Sequence, residues 1–226
     1  MTHQPTTLLL GGKPLTVYEA SAPTHLLLQP CDEHDLEGMG QEAETIGRSA
    51  PDAFSLYALH VGDWFNELSP WAAPPVFGKQ TFGDGAAATL SFITRHVIPE
   101  LHRRHPGLPI ILGGYSLAGL FALWAGYNSS QFAAIAAASP SVWFPGWLPF
   151  ASAHTMQARS VYLSLGDKEP QTRNARMATV GQAITAQAAL LRAEGRECTM
   201  EWNQGGHFRD SGLRTGKAFA WCMQHC

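Results

Sequence analysis

Short apolar runs alternate with longer stretches of helical periodicity along almost the whole chain, and few architectures accept that pattern. A strand, a helix and a second strand form a right-handed crossover. Repeated, this gives a mostly parallel sheet with helices on both faces. The runs are "TTLLL", "LTVYEA", "HLLLQ", "FSLYALH", "IIL", "FAAIAAAS", "SVYLSLG" and "CTMEWN". The first two are joined by "GGKP" and predict an antiparallel hairpin. Helices are predicted over 32–50, 87–104, 117–126, 177–193 and 212–226, with Ser211 as the N-cap of the last. The cluster "DEHD" places negative charge at the start of the first helix, where the helix dipole favours it. The expected fold class is therefore α/β, with about eight strands and no inserted cap.

Composition narrows the function. The chain has 226 residues, 45% hydrophobic and 15% charged, which suits one domain over 1–226 with a single core. A net charge of -3 without a basic patch argues against nucleic acid as a partner. The start "MTHQPTTLLLGG" lacks a basic region before its apolar run. No apolar stretch approaches the roughly 18 residues of a membrane span. Cys31, Cys198, Cys222 and Cys226 form no CxxC pair, so reduced thiols in a cytoplasmic protein are expected. His102 and His105 have no acidic partner of the HExxH kind, so no metal is expected.

The stretch "IILGGYSLAGL" puts Ser116 on a strand-to-helix turn, with Gly114 two residues before it and Ala118 two residues after. A serine on such a turn is held at strained backbone angles that lift its hydroxyl clear of the sheet. Large side chains two residues to either side would collide. The amide of Leu117 then lies at a helix N-terminus, suited to an oxyanion. An attacking serine needs a base, and the base needs an orienting group. Of the ten histidines, only His207, in "EWNQGGHFRD", stands in a loop just after the final strand. Asp167 and Glu169 in "SLGDKEP" both qualify by position as the acid. Two long loops, 61–85 and 140–158, leave the carboxyl ends of strands, where open α/β sheets bind ligands. Their aromatics supply candidate substrate contacts: Trp64, Trp71 and Trp143. Trp124, Trp202 and Trp221 lie within elements and are expected in the core.

The ordered set "GGYSLAGLFALWA", "SPSVWF", "SLGDKE" and "EWNQGGHF" resembles the esterase D-like group of α/β-hydrolases, in particular its short members related to siderophore (enterobactin-type) esterases. The resemblance covers nearly the whole chain and departs from the pattern at Ala118, where glycine is commoner. It implies an α/β-hydrolase fold and hydrolysis of a small-molecule ester without a cofactor, with Ser116 as nucleophile and His207 as base. A common arrangement in such folds puts the acid three residues after a glycine at the strand end. Here that favours Glu169 over Asp167. The oxyanion donors expected are the amides of Leu117 and, from the "QPCD" turn, Cys31. Acyl transfer on the same scaffold, and a catalytically silent ligand-binding fold, are the rival readings.

Overall fold

In the computed structural model, which describes residues 4–51 and 53–226, a helix follows every strand from the third onward. The chain opens with β1 (Thr6–Leu10) and β2 (Lys13–Tyr18), paired antiparallel. It continues through β3 (His25–Cys31), α1 (Glu33–Ser49), β4 (Phe54–His60), α2 (Trp64–Glu67) and α3 (Ala86–Phe92). A π-helical turn (Ile93–Val97) leads into α4 (Ile98–Arg104), then β5 (Ile110–Tyr115) and α5 (Ser116–Asn128). Next come β6 (Ala134–Ala138), α6 (Trp147–Ala153), β7 (Ser160–Gly166), α7 (Val180–Ala193), β8 (Glu197–Asn203) and α8 (Ser211–Met223).

The strands form one sheet in the order β1-β2-β4-β3-β5-β6-β7-β8, parallel from β4 to β8. After β4 the chain crosses to the other side of β3 and continues with β5. The carboxyl ends of β3 and β5 therefore flank a topological switch point, the usual place for a ligand in such sheets. β5, β6 and β7 are buried along their whole lengths, as parallel strands covered on both faces must be. The pleat of β3 divides the core in two. Leu26 and Leu28 face one side with α3, α4, α5 and α7, and Leu27 faces the other with α1 and α8.

Several local expectations are revised. The helix predicted over 87–104 widens into a π turn just before Pro99, whose ring nitrogen cannot donate to the carbonyl of Arg95. The loop 140–158 folds into α6, and 61–85 contains the short α2. Ser211 is the first residue of α8 and not its cap. The cap is Asp210, whose φ of 55° turns the chain into the helix without a side-chain bond. Trp124 is buried, but Trp202 is 50% exposed because β8 is an edge strand only partly covered by α7. The four cysteines are free thiols, and among the described residues no helix is long and apolar enough to cross a membrane.

Glu42 is a buried carboxyl where α1 packs against α8. Gln29 Nε2 donates to its Oε2 at 3.1 Å. Burial is the main cause that pushes its pKa up from 4.5 to about 8. Such a group must take up a proton for the chain to fold at any pH between those values. The cost is absent below 4.5, grows through the window and is complete above 8. Glu42→Gln keeps the shape without the charge. Its melting temperature should match the parent's at pH 4 and exceed it by a growing margin from pH 5 to 8. An unchanging difference across that range would show that Glu42 titrates normally.

Candidate active site

β5 ends at Tyr115 and α5 begins at once, so the chain reverses over one residue, Ser116. Its φ is 56°, a left-handed value that costs a residue with a Cβ. The small neighbours explain how the turn closes. A Cβ at Gly114 would lie 2.6 Å from the Cβ of Ala118 and 2.8 Å from its carbonyl carbon. One at Gly119 would lie 3.0 Å from the carbonyl oxygen of Gly114 and 3.2 Å from the Cα of Pro140. The first turn of α5 thus rests directly on the end of β5. The side chain of Leu117 is buried, and its amide is among those a helix start leaves without an intrahelical partner.

The imidazole of His207, carried by the loop after β8, faces that serine. His207 Nε2 lies 2.9 Å from Ser116 Oγ, and Nδ1 lies 2.7 Å from Glu169 Oε2. Glu169, three residues past Gly166, is folded back under the loop, its side chain only 6% exposed. Its other oxygen, Oε1, accepts from the Gly166 amide (2.7 Å), Ser139 Oγ (2.8 Å) and Arg214 Nη1 (3.1 Å). Burial pushes the carboxyl up. The hydrogen bond from His207, with the Gly166 amide and Ser139 hydroxyl, outweighs it and holds Glu169 below the ordinary glutamate value. An ionised carboxylate can only accept, so Nδ1 carries the proton and Nε2 is left to accept from Ser116. Asp167 points elsewhere: its Oδ1 accepts the Gly205 amide at 2.7 Å, tying the end of β7 to the His207 loop.

Ser116 opens into a cleft of about 150 Å³ between α1 and the His207 loop. Asp32 and Asp35 line one side, Trp64 and Phe208 contribute the apolar walls, and Tyr115 lies at the base. The Phe208 ring is 93% exposed at the lip. Of the three tryptophans predicted to touch substrate, Trp64 lines this cleft. Trp71 and Trp143 are spent on loop packing. Trp71 donates from Nε1 to the Pro145 carbonyl at 2.8 Å and packs on Phe144 and Phe150; Trp143 packs on Phe82 and Phe77.

Cys31 also needs correction. β3 runs two residues further than "HLLLQ" and ends at Cys31. Leu26 turns its amide to the β5 side, donating to Pro109, whereas the Cys31 carbonyl accepts from Val61 on the β4 side. The N–H and C=O of one strand residue point the same way, so the Cys31 amide faces away from Ser116. The thiol is buried too. Asp32, one residue on and still extended (φ -99°), turns its amide to the β5 side, and it lines the cleft.

Arg214, Ser139 and Ser141 are absent from the sequence-based expectations. Ser141 Oγ lies 3.4 Å from Ser116 Oγ, and its amide donates to the Ser116 carbonyl at 3.0 Å. Of the other histidines, His34 reaches the cleft wall, and His3 lies outside the described residues.

No family model and no curated protein matches the chain. Solved structures do. An IroE-like serine hydrolase from Shewanella oneidensis superposes with a TM-score of 0.80 at 14% identity, over 96% of this chain and 79% of that one. The siderophore hydrolase EstB from Aspergillus nidulans gives 0.72 at 20% identity, over 97% and 93%. The enterobactin esterase FES from Shigella flexneri gives 0.68 at 16% identity. It covers 99% of this chain, which spans 60% of the length of FES. The fold is that of the α/β-hydrolases.

The contacts at Gly114 give a direct test of the turn. Gly114→Ala must push Ala118 and the first turn of α5 away, at a cost of about 1–3 kcal/mol in urea denaturation. Unchanged stability would mean that the small residues around Ser116 are not a packing requirement.

Proposed function

We propose that the chain is a serine-dependent carboxylic ester hydrolase with Ser116 as nucleophile, His207 as general base and Glu169 as the orienting acid. The observation that carries this is the unbroken hydrogen-bonded series Ser116–His207–Glu169 at the carboxyl edge of the sheet, ending on a serine in a strained turn. Ser116 Oγ attacks the ester carbonyl carbon while His207 Nε2 takes its proton. The carbonyl oxygen becomes an oxyanion facing the amides of Leu117 and Asp32. Collapse breaks the bond to the alkoxy group, and His207 returns the proton to the departing alcohol. Water, deprotonated by His207, then attacks the acyl-enzyme; the bond to Ser116 Oγ breaks, His207 returns the proton to that oxygen, and the acid leaves. The carboxylate of Glu169 holds the imidazole tautomer and stabilises the imidazolium formed in each half.

Substrates are small-molecule esters whose apolar portion lies between Trp64 and Phe208. The likeness to siderophore hydrolases makes an ester of that kind the first natural substrate to assay. The four free thiols suit a reducing compartment, in keeping with a cytoplasmic enzyme.

Ser116→Ala should fold and lose on the order of 10⁴-fold or more in kcat against p-nitrophenyl esters. Glu169→Gln should lose on the order of 10²–10⁴-fold. Asp167→Asn should lose far less, because its carboxylate serves a backbone amide. A large loss in Asp167→Asn with Glu169→Gln near the parent would reverse the acid assignment. Small losses in both would reduce the site to a Ser–His pair. Product analysis with an added alcohol separates the two fates of the acyl-enzyme: free acid for a hydrolase, a new ester for a transferase.

A further inference from the structure

Arg214 lies on α8, outside the cleft, with a side chain only 1% exposed. We propose that it is a positioning residue for this site: its guanidinium fixes the acid, the loop that carries the base and the turn that carries the nucleophile relative to one another. The inference rests on the roles proposed above for Ser116, His207 and Glu169.

Two nitrogens of one planar group reach four separate segments. The two hydrogens of Nη1 are shared among Glu169 Oε1 (3.1 Å), Tyr115 Oη (3.1 Å) and Ser139 Oγ (3.3 Å). Nη2 donates to the carbonyls of Gly206 (3.1 Å) and Gln204 (3.3 Å). Tyr115, the residue before Ser116, passes the constraint on: its hydroxyl donates to the His207 carbonyl at 2.6 Å. Ser139 does the same on the acid side, since it accepts from Arg214 and donates to Glu169.

The arrangement determines which carboxylate oxygen meets the imidazole. Three donors occupy Oε1, so Oε2 is the oxygen left for His207 Nδ1. It also determines where the imidazole sits. Gln204, Gly205 and Gly206 precede His207, and the two glycines would leave that loop free to swing. The Gln204 and Gly206 carbonyls are pinned by Nη2. Stability alone is a poor explanation for burying the charge, because a buried ion pair gains little over a well-packed apolar pair. A lysine could not replace it: a single ammonium at the end of a chain cannot address Glu169 and the two carbonyls from opposite edges of one plane.

Arg214→Met removes the charge and Arg214→Lys keeps it without the fork. Each is assayed with a p-nitrophenyl ester, with active sites counted by fluorophosphonate titration and folding followed by thermal melting. For each variant, kcat per active site should fall about 10–10²-fold, with KM within about twofold of the parent. The Lys variant should lie between the parent and the Met variant. With Glu169→Gln as background, where no carboxylate remains to orient but the loop and the turn still have to be held, Arg214→Met should cost less than it does in the parent. Parent-like kcat per active site, with loss confined to the melting temperature or the active fraction, would overturn the proposal. An equal loss in both backgrounds would do the same. Should the Met variant not fold, the Lys variant alone and on Glu169→Gln decides by the same criteria. If the parent itself takes no label at Ser116, it is the catalytic reading that fails, independently of Arg214.

Discussion

A guanidinium with almost no solvent contact must find acceptors within the protein, because an unpaired buried charge costs several kcal/mol. Around Arg214 those acceptors are one carboxylate, two hydroxyls and two carbonyls, drawn from the ends of β5, β6, β7 and the loop after β8. Satisfying one cation therefore closes four connections over the carboxyl edge of the sheet. Loops are ordinarily the mobile part of an α/β fold. Here the ones that carry Glu169 and His207 are anchored from below, while the ring of Phe208 at the outer wall of the cleft stands free in solvent.

The second constraint is backbone strain. Ser116 and Ser139 both have positive φ, 56° and 42°, and both sit at the end of a buried parallel strand. Each is held by its surroundings. Ser116 is held by the close approach of Gly114 to Ala118, and Ser139 by the hydrogen bonds that its amide donates to the Ser164 carbonyl and its hydroxyl donates to Glu169. Strain of this kind persists where surrounding structure over-determines it. It directs both hydroxyls toward the carboxyl edge, one at the imidazole and one at the carboxylate.

Much of this was legible because it is written locally. Strand and helix runs follow from period, and the serine turn from the small residues flanking it. His207 stands just after the last strand, whereas position after β7 leaves Asp167 and Glu169 both open, and it is the resemblance that favours Glu169. What was not legible depends on facing. Arg214 follows His207 by seven residues on an amphipathic helix, and in sequence it looks like any surface arginine. The sequence pattern ends β3 at Gln29, whereas the strand runs on to Cys31, and the direction of each later amide, Cys31 included, depends on that register. Trp71 and Trp143 share loop composition with Trp64, and only tertiary packing separates a ring that pins a loop from one that faces the cleft.

The most direct test of the Ser116–His207–Glu169 series is to map where an alkyl fluorophosphonate attaches to the intact chain and how fast. The parent should gain one phosphonyl group, on the peptide that carries Ser116. His207→Gln should label there on the order of 10³-fold more slowly, since the hydroxyl has lost its base. Label on a different serine, or an unchanged rate in His207→Gln, would contradict it.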